Sequence, residues 1–145
     1  MEILFFRIGN LIAGIQTKFI QKVVFAPELR PFLPVSPVIK NMLIDQGRPV
    51  GLIELDKLIS NQENDTNNIV IILEFNDIKF GILVKKILQT RAVSSKKLVP
   101  PDRIRQGIKN YTESLCQVRK TYIPVLSPEK ILLYEDIRKL WFKEE

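Results

Sequence analysis

Side chains that could do chemistry are few and dispersed in this 145-residue chain. Histidine is absent, which removes the usual general base, the usual triad partner and the commonest transition-metal ligand together. Glu54, Asp56, Glu74, Asp77, Glu135 and Asp136 show no spacing that forces two carboxylates into one catalytic geometry, so each reads as part of a solvated face. In "SSKK" (94–97), Ser95 stands next to Lys96 in sequence, but nothing around them builds a nucleophile and its base, and the stretch reads as a basic loop. The six glycines form neither GxxxxGK[ST] nor GxGxxG, so no phosphate cradle is present. The single cysteine, Cys116, cannot close an internal disulfide and reads as a small buried apolar residue. These residues predict a protein that is not an enzyme, with no cofactor, no metal site and no small-molecule substrate.

Charge is the second signal. The formal net charge is +6, and residues 85–109 hold eight cations, from Lys85 and Lys86 to Lys109, against Asp102 alone. Such a patch suits nucleic acid, an acidic membrane surface or an acidic protein face. A nucleic-acid-binding barrel using 85–109 is therefore one reading, although the segment has no Phe, Tyr or Trp on which bases could stack; Tyr111 and Tyr122 lie just outside it. A solvated basic face fits equally well.

The elements that would position these groups are mostly strands. Hydrophobic residues make up 46% of the chain, enough for one compact domain or two small subdomains sharing a core. "EILFFRI" and "LIAGI" flank a Gly-Asn pair, a hairpin signature. "FIQKVVF" (19–25) is a further strand, and "PELRPFLPVSP" has prolines too dense for a helix or a central strand. That segment predicts an extended surface connection holding Leu29, Phe32, Leu33 and Val35 against the body of the domain. "VIKNMLID" and "RPVGLIEL" meet around Gly47, a short helix follows at 55–59, and 60–68 is a polar loop. The second half repeats the theme. "IVIILEF", "IKFGILV" and "ILQTRAV" form a meander, with Gly81 marking a bend or a close approach, and "GIKNYTESLCQV" with "KTYIPVL" form a last strand pair. Ser127 and Pro128 predict the start of an amphipathic helix burying Leu133, Ile137, Leu140 and Trp141 on its own domain. No apolar run reaches the roughly 18 residues of a membrane span, so neither membrane insertion nor a secretory signal is expected, and the single cysteine fits a reducing cytoplasm.

The order of these blocks resembles the CheW-like family of chemotaxis coupling proteins over nearly the whole chain. "FRIGNLIAGIQTKFIQKVV" is similar to that family's opening hairpin and V-x-E-[IV] strand. "LPVSPVIKNMLIDQGRPVGLIEL" is similar to its L-P-x-x-P and N-[LV]-R-G block, "NNIVIILEFNDIKFGILVKKILQTRAV" to its G-[IL]-x-V-D-x-V block, and "YIPVLSPEKIL" to its last strand and helix start. The resemblance implies a mainly β fold, two small SH3-like β-barrel subdomains packed together with a C-terminal amphipathic helix. It divides the single domain 1–145 into approximate subdomains 12–68 and 69–126, with the N-terminal strand and C-terminal helix crossing between them. It implies a cytoplasmic adaptor that binds a methyl-accepting chemoreceptor, a histidine kinase regulatory domain, or both, and further CheW-like domains.

By the same resemblance the receptor side carries Ile20, Lys22, Asn41, Gln46 and Gly47. Ile20 fits a core position as well, and Gly47 a turn position. Several residues depart from the family pattern: Lys22 stands where it has an acid, Ile44-Asp45-Gln46-Gly47 where it reads Asn-Leu-Arg-Gly, and Lys85 where it has aspartate. Asn41 occupies the place of a family glycine and Gly51 that of a proline. The reversed charges at 22 and 85 and the neutral amide at 46 imply a partner surface of altered electrostatics.

Overall fold

The structure is a computed structural model and describes residues 1–31, 39–55, 68–102, 104 and 106–133. Twelve strands in this part of the chain build two six-stranded sheets. The first half contributes β1 (Glu2–Ile8), β2 (Leu11–Gln16), β3 (Ile20–Phe25), β4 (Arg30–Pro31), β5 (Ile39–Asp45) and β6 (Arg48–Ile53). The second contributes β7 (Ile69–Phe75), β8 (Ile78–Val84), β9 (Lys86–Ala92), β10 (Leu98–Val99), β11 (Thr112–Val118) and β12 (Thr121–Leu126). Two short helices, α1 (Gln106–Lys109) and α2 (Pro128–Leu132), complete the described elements along with 3-10 turns at Thr17–Phe19 and Ser95–Lys97.

The two halves exchange strands. One sheet runs β10-β11-β12-β2-β1-β9 and the other β4-β5-β6-β8-β7-β3. Each pairing in one has its counterpart in the other: hairpins β1–β2 and β7–β8, the antiparallel partners β9 and β3 laid against them, and hairpins β11–β12 and β5–β6. In each sheet the two hairpins meet through a parallel contact at a glycine, Gly14 opposite Val125 and Gly81 opposite Leu52. These are the two SH3-like barrels. Their strands sort differently from the expected boundaries at 12–68 and 69–126, because β7 and β8 complete the sheet of β3–β6, whereas β1 and β2 join β9–β12.

This exchange explains why the hairpin strands read as almost continuously apolar. Ile3 and Phe5 of β1 face a small interior with Cys116 and Val125, whereas Leu4, Phe6 and Ile8 face the layer between the sheets. In the other barrel, Val70 and Ile72 face an interior with Leu43, Val50, Leu52 and Leu83, and Ile71 and Leu73 face the shared layer. A strand buried on both faces needs apolar residues at odd and even positions alike.

Three local expectations change, and of the two readings of Gly81 the close approach holds. Residues 107–111 open with a helical turn instead of a strand, because Thr112 Oγ1 donates to the Ile108 carbonyl at 2.7 Å and the strand starts only at Thr112. Ser127 and Pro128 start α2 as expected, with the Ser127 hydroxyl accepting from the Lys130 N–H at 3.1 Å. That cap sets the phase of the helix so that Ile131 and Leu132 are buried, and Leu133 is exposed instead of buried. Leu29, expected against the body of the domain, is exposed beside the two-residue edge strand β4. Gly81 marks no bend; it marks close packing, since a Cβ there would lie 2.6 Å from Leu52 Cδ2 and 2.8 Å from Val70 Cγ1. Phe32, Leu33, Val35, residues 56–59 of the helix expected at 55–59, most of the polar loop, Arg103, Arg105, and the helix face with Ile137, Leu140 and Trp141 lie outside the described residues.

Adding a methyl at the glycine contacts tests the packing. Gly81→Ala is expected to destabilise the fold by about 1–3 kcal/mol, because the added Cβ would press on Leu52 and on Val70, whose β-branched side chain is stiff at χ1. Gly14→Ala, whose Cβ would lie 2.7 Å from Ile3 Cγ2, is expected to do the same in the other barrel. Urea midpoints at unchanged slope check both.

Candidate protein-binding groove

Three segments converge at one end of the β3–β8 barrel: the 3-10 turn with the start of β3, the β5–β6 turn, and the β7–β8 turn. Together they line a groove of about 700 Å³ with Lys18, Phe19, Ile20, Lys22, Gln46 and Glu74 among its residues, and Asn76 and Asp77 on its rim. Both turns are tight two-residue connections with two central residues at positive φ: Gln46 at +52° and Gly47 at +78°, Asn76 at +51° and Asp77 at +65°. That geometry matches the right-handed twist of the flanking strands and sets both turns at the groove mouth.

The expected site residues divide. Ile20, Lys22 and Gln46 line the groove together, and Gly47 completes the turn beside Gln46. Ile20 is half-buried, opposite Leu73 of β7, and packs against the shared core, so it serves the core while reaching the groove. Asn41 is apart, near the opposite end of β5 between Pro31 of β4 and Leu52 of β6. Phe19 and Lys18 belong to the groove without having been anticipated; Phe19 packs against Phe75 with ring centroids 6.0 Å apart, and the Lys18 ammonium lies over its ring.

Beside the groove, Lys22 closes the barrel. β3 and β5 are not paired to each other, and Lys22 Nζ crosses the seam between them to Asp45 Oδ1 at 2.6 Å. Lys79 Nζ approaches the other carboxylate oxygen at 3.7 Å, outside hydrogen-bond range, and Asp45 Oδ2 has no hydrogen-bond partner. The Asp45 side chain is 8% exposed and that of Lys22 41%. The hydrogen bond from Lys22 holds the Asp45 carboxyl below the usual carboxylate range; burial opposes it, and the charges of Lys22 and Lys79 add to the lowering. In the sequence Asp45 stands out only as a departure from the family turn. The signal available was that an acid had appeared at 45 while another had been lost at 22, two changes that compensate only if the chain brings the positions together.

The remaining titratable groups have structural settings. Cys116 is 1% exposed and burial pushes its thiol up, despite the nearby charges of Arg91 and Lys97, so it is a poor nucleophile. Burial also raises the Glu113 carboxyl, which accepts a hydrogen bond from the Gln16 amide. No group of three or more potential metal ligands occurs among the described residues, and none of their helices is long and apolar enough to cross a membrane.

The ion pair has a pH signature. Because the folded carboxyl titrates below its unfolded value of about 3.9, its stabilisation is complete above that pH and is lost as pH falls through the folded value. Asp45→Asn is expected to cost about 1–2 kcal/mol at pH 7, a figure reduced by the exposure of Lys22, and to flatten the acid limb of the stability curve. Joint replacement, Lys22→Met with Asp45→Val, is expected to recover most of the loss. Urea unfolding between about pH 2 and pH 7 measures both effects.

Residues 2–135 match the CheW-like domain. The chemotaxis protein CheW of Treponema pallidum (strain Nichols) is 22% identical over 147 residues, covering 96% of this chain and 86% of that protein. The crystal structure of the scaffolding protein TtCheW from Thermoanaerobacter tengcongensis superposes with a TM-score of 0.79 at 16% identity, covering 87% of this chain and 88% of that one. The last comparison bears on the fold, and the match from the first strand into the terminal helix bears on descent: the chain belongs to the CheW-like domain family.

Proposed function

We propose that this protein is a non-enzymatic cytoplasmic adaptor of a chemotaxis-type signalling assembly, coupling a chemoreceptor to a histidine kinase. The observation that carries this reading is the convergence of Ile20, Lys22, Gln46 and the Gly47 turn on one groove, in a chain of the CheW-like family. Tight hairpin turns and paired strand starts make a binding edge already held in place, so a partner would meet little ordering cost on this side. Phe19 and Ile20 supply apolar contact, and Lys18, Lys22 and Gln46 set which polar groups are accepted. Asn41 is the weakest of the proposed contacts because it lies away from the groove, and it would serve a separate part of the surface.

The reading of 85–109 as a nucleic-acid site draws less support. Of the two tyrosines flanking that segment, Tyr111 is 5% exposed and cannot stack on a base, which leaves Tyr122 as a lone platform.

The test is affinity recovery from the native cell with tagged wild type and Gln46→Arg. Both residues carry a Cβ, so the backbone cost at positive φ is unchanged and the fold should be kept. Wild type is expected to recover a receptor or kinase. The added cation beside Lys18 and Lys22 is expected to cut that recovery by about tenfold. Recovery of no signalling protein would count against the adaptor role, and equal recovery by both would reduce the turn to a structural feature.

A further inference from the structure

In the barrel of β1, β2 and β9–β12, the end corresponding to the groove carries a different charge pattern. In the groove, Glu74 of β7 and Asp77 of the following turn accompany Lys18 and Lys22. In the other barrel, Arg7 occupies the place of Glu74, since Phe5 pairs with Gly14 as Ile72 pairs with Gly81. Arg7 stands directly opposite Lys86 across β1 and β9, and the Lys85 N–H donates to the Arg7 carbonyl at 2.8 Å. Extending the parallel register of Gly14 with Val125 back by three residues brings Leu11 level with Tyr122. The Arg119–Lys120 turn therefore lies at this same end, beside the turn at Gly9 and Asn10.

Lys85, Lys86, Arg119 and Lys120 are exposed, Arg7 is half-exposed, and none of them forms an ion pair among the described residues. The carboxylates of this sheet, Glu2 and Glu113, sit at its far end, where they bond to Thr17 and Gln16. Like charges placed directly opposite across two strands are destabilising. The β3–β8 barrel sets Asp45 against Lys22 at its mouth; the barrel of β1, β2 and β9–β12 leaves its cations opposed.

We propose that this basic end is a second docking surface, taking an acidic segment of a partner protein. Closely spaced cations fixed on strand ends match carboxylates repeated along a peptide, with the Arg7 and Arg119 guanidinium groups able to take them in bidentate fashion. Tyr122, 42% exposed at the rim, adds an amphipathic contact. A nucleic-acid track would need several interleaved aromatic residues, and a lipid surface would need exposed aliphatic residues to insert; this end offers one tyrosine. The inference goes beyond the groove reading and stands independently of it.

Fluorescence anisotropy of a short fluorescein-labelled glutamate-rich peptide, in about 50 mM salt, tests it. Wild type is expected to bind, and Arg7→Gln with Lys86→Gln to bind about tenfold more weakly without a lower melting temperature, since the change removes repulsion. Arg91→Gln with Lys109→Gln, the same loss of charge at the other end, is expected to stay within about twofold of wild type. Absence of peptide binding, an equal loss in the control variant, or tighter binding to a mixed-sequence single-stranded oligonucleotide or to phosphatidylserine vesicles would each overturn the proposal.

Discussion

The apolar layer between the two sheets is the constraint on which the molecule depends. Phe6 and Phe80, both fully buried, lie in it with Ile15, Ile53, Ile71, Leu73 and Ile82, so residues from both halves of the chain share one core. Neither half builds a barrel alone, because the β7–β8 hairpin of the second half lies between β3 and β6 of the first, and the β1–β2 hairpin of the first lies between β9 and β12 of the second. Burial of this layer therefore requires the strand exchange, and the exchange fixes where each strand end and turn emerges. The groove exists because β3 begins beside the β7–β8 hairpin from the opposite half of the sequence.

Within that frame the two barrels solve one problem differently. Each must close an open seam at the mouth of its small interior. Counting along the hairpins from the paired glycines, Val118 of the second barrel occupies the place of Asp45 in the first. An apolar residue closes one seam and an ion pair the other. An ion pair between a nearly buried carboxylate and a lysine that is 41% exposed adds little net stability over a well-packed apolar contact, because desolvation and solvent screening offset the attraction, but it fixes which partner each charge must meet. Lys22 is thus committed to Asp45 through one face while its exposed part contributes to the groove.

Much of the fold was legible in the sequence. Hairpin strands were recognisable from apolar runs that flank the Gly-Asn pair and that meet around Gly47, and the start of α2 from Ser127 and Pro128, because strand period, turn conformation and helix capping are local properties. The turn bearing Gln46 and Gly47 was legible for the same reason. The helical turn before Thr112 was not, since it depends on one side-chain bond to Ile108, and neither was the burial of Ile131 and Leu132 in preference to Leu133. Gly81 signalled an unusual site from sequence alone, yet only its neighbours Leu52 and Val70 reveal tight packing in place of a bend.

By itself, then, the sequence determined a mainly β chain of two repeating halves, without histidine chemistry, with a family pattern altered at positions 22, 46 and 85. Tertiary structure decided which halves of which barrels are joined, that Ile20, Lys22 and Gln46 share a groove while Asn41 does not, and that Lys22 has its counter-ion in Asp45. The physical reason is one of range. Periodicity and turn chemistry act over a few residues, whereas a charge at 22 meets one at 45 only after both strands have been placed by the burial of a core drawn from the entire described chain.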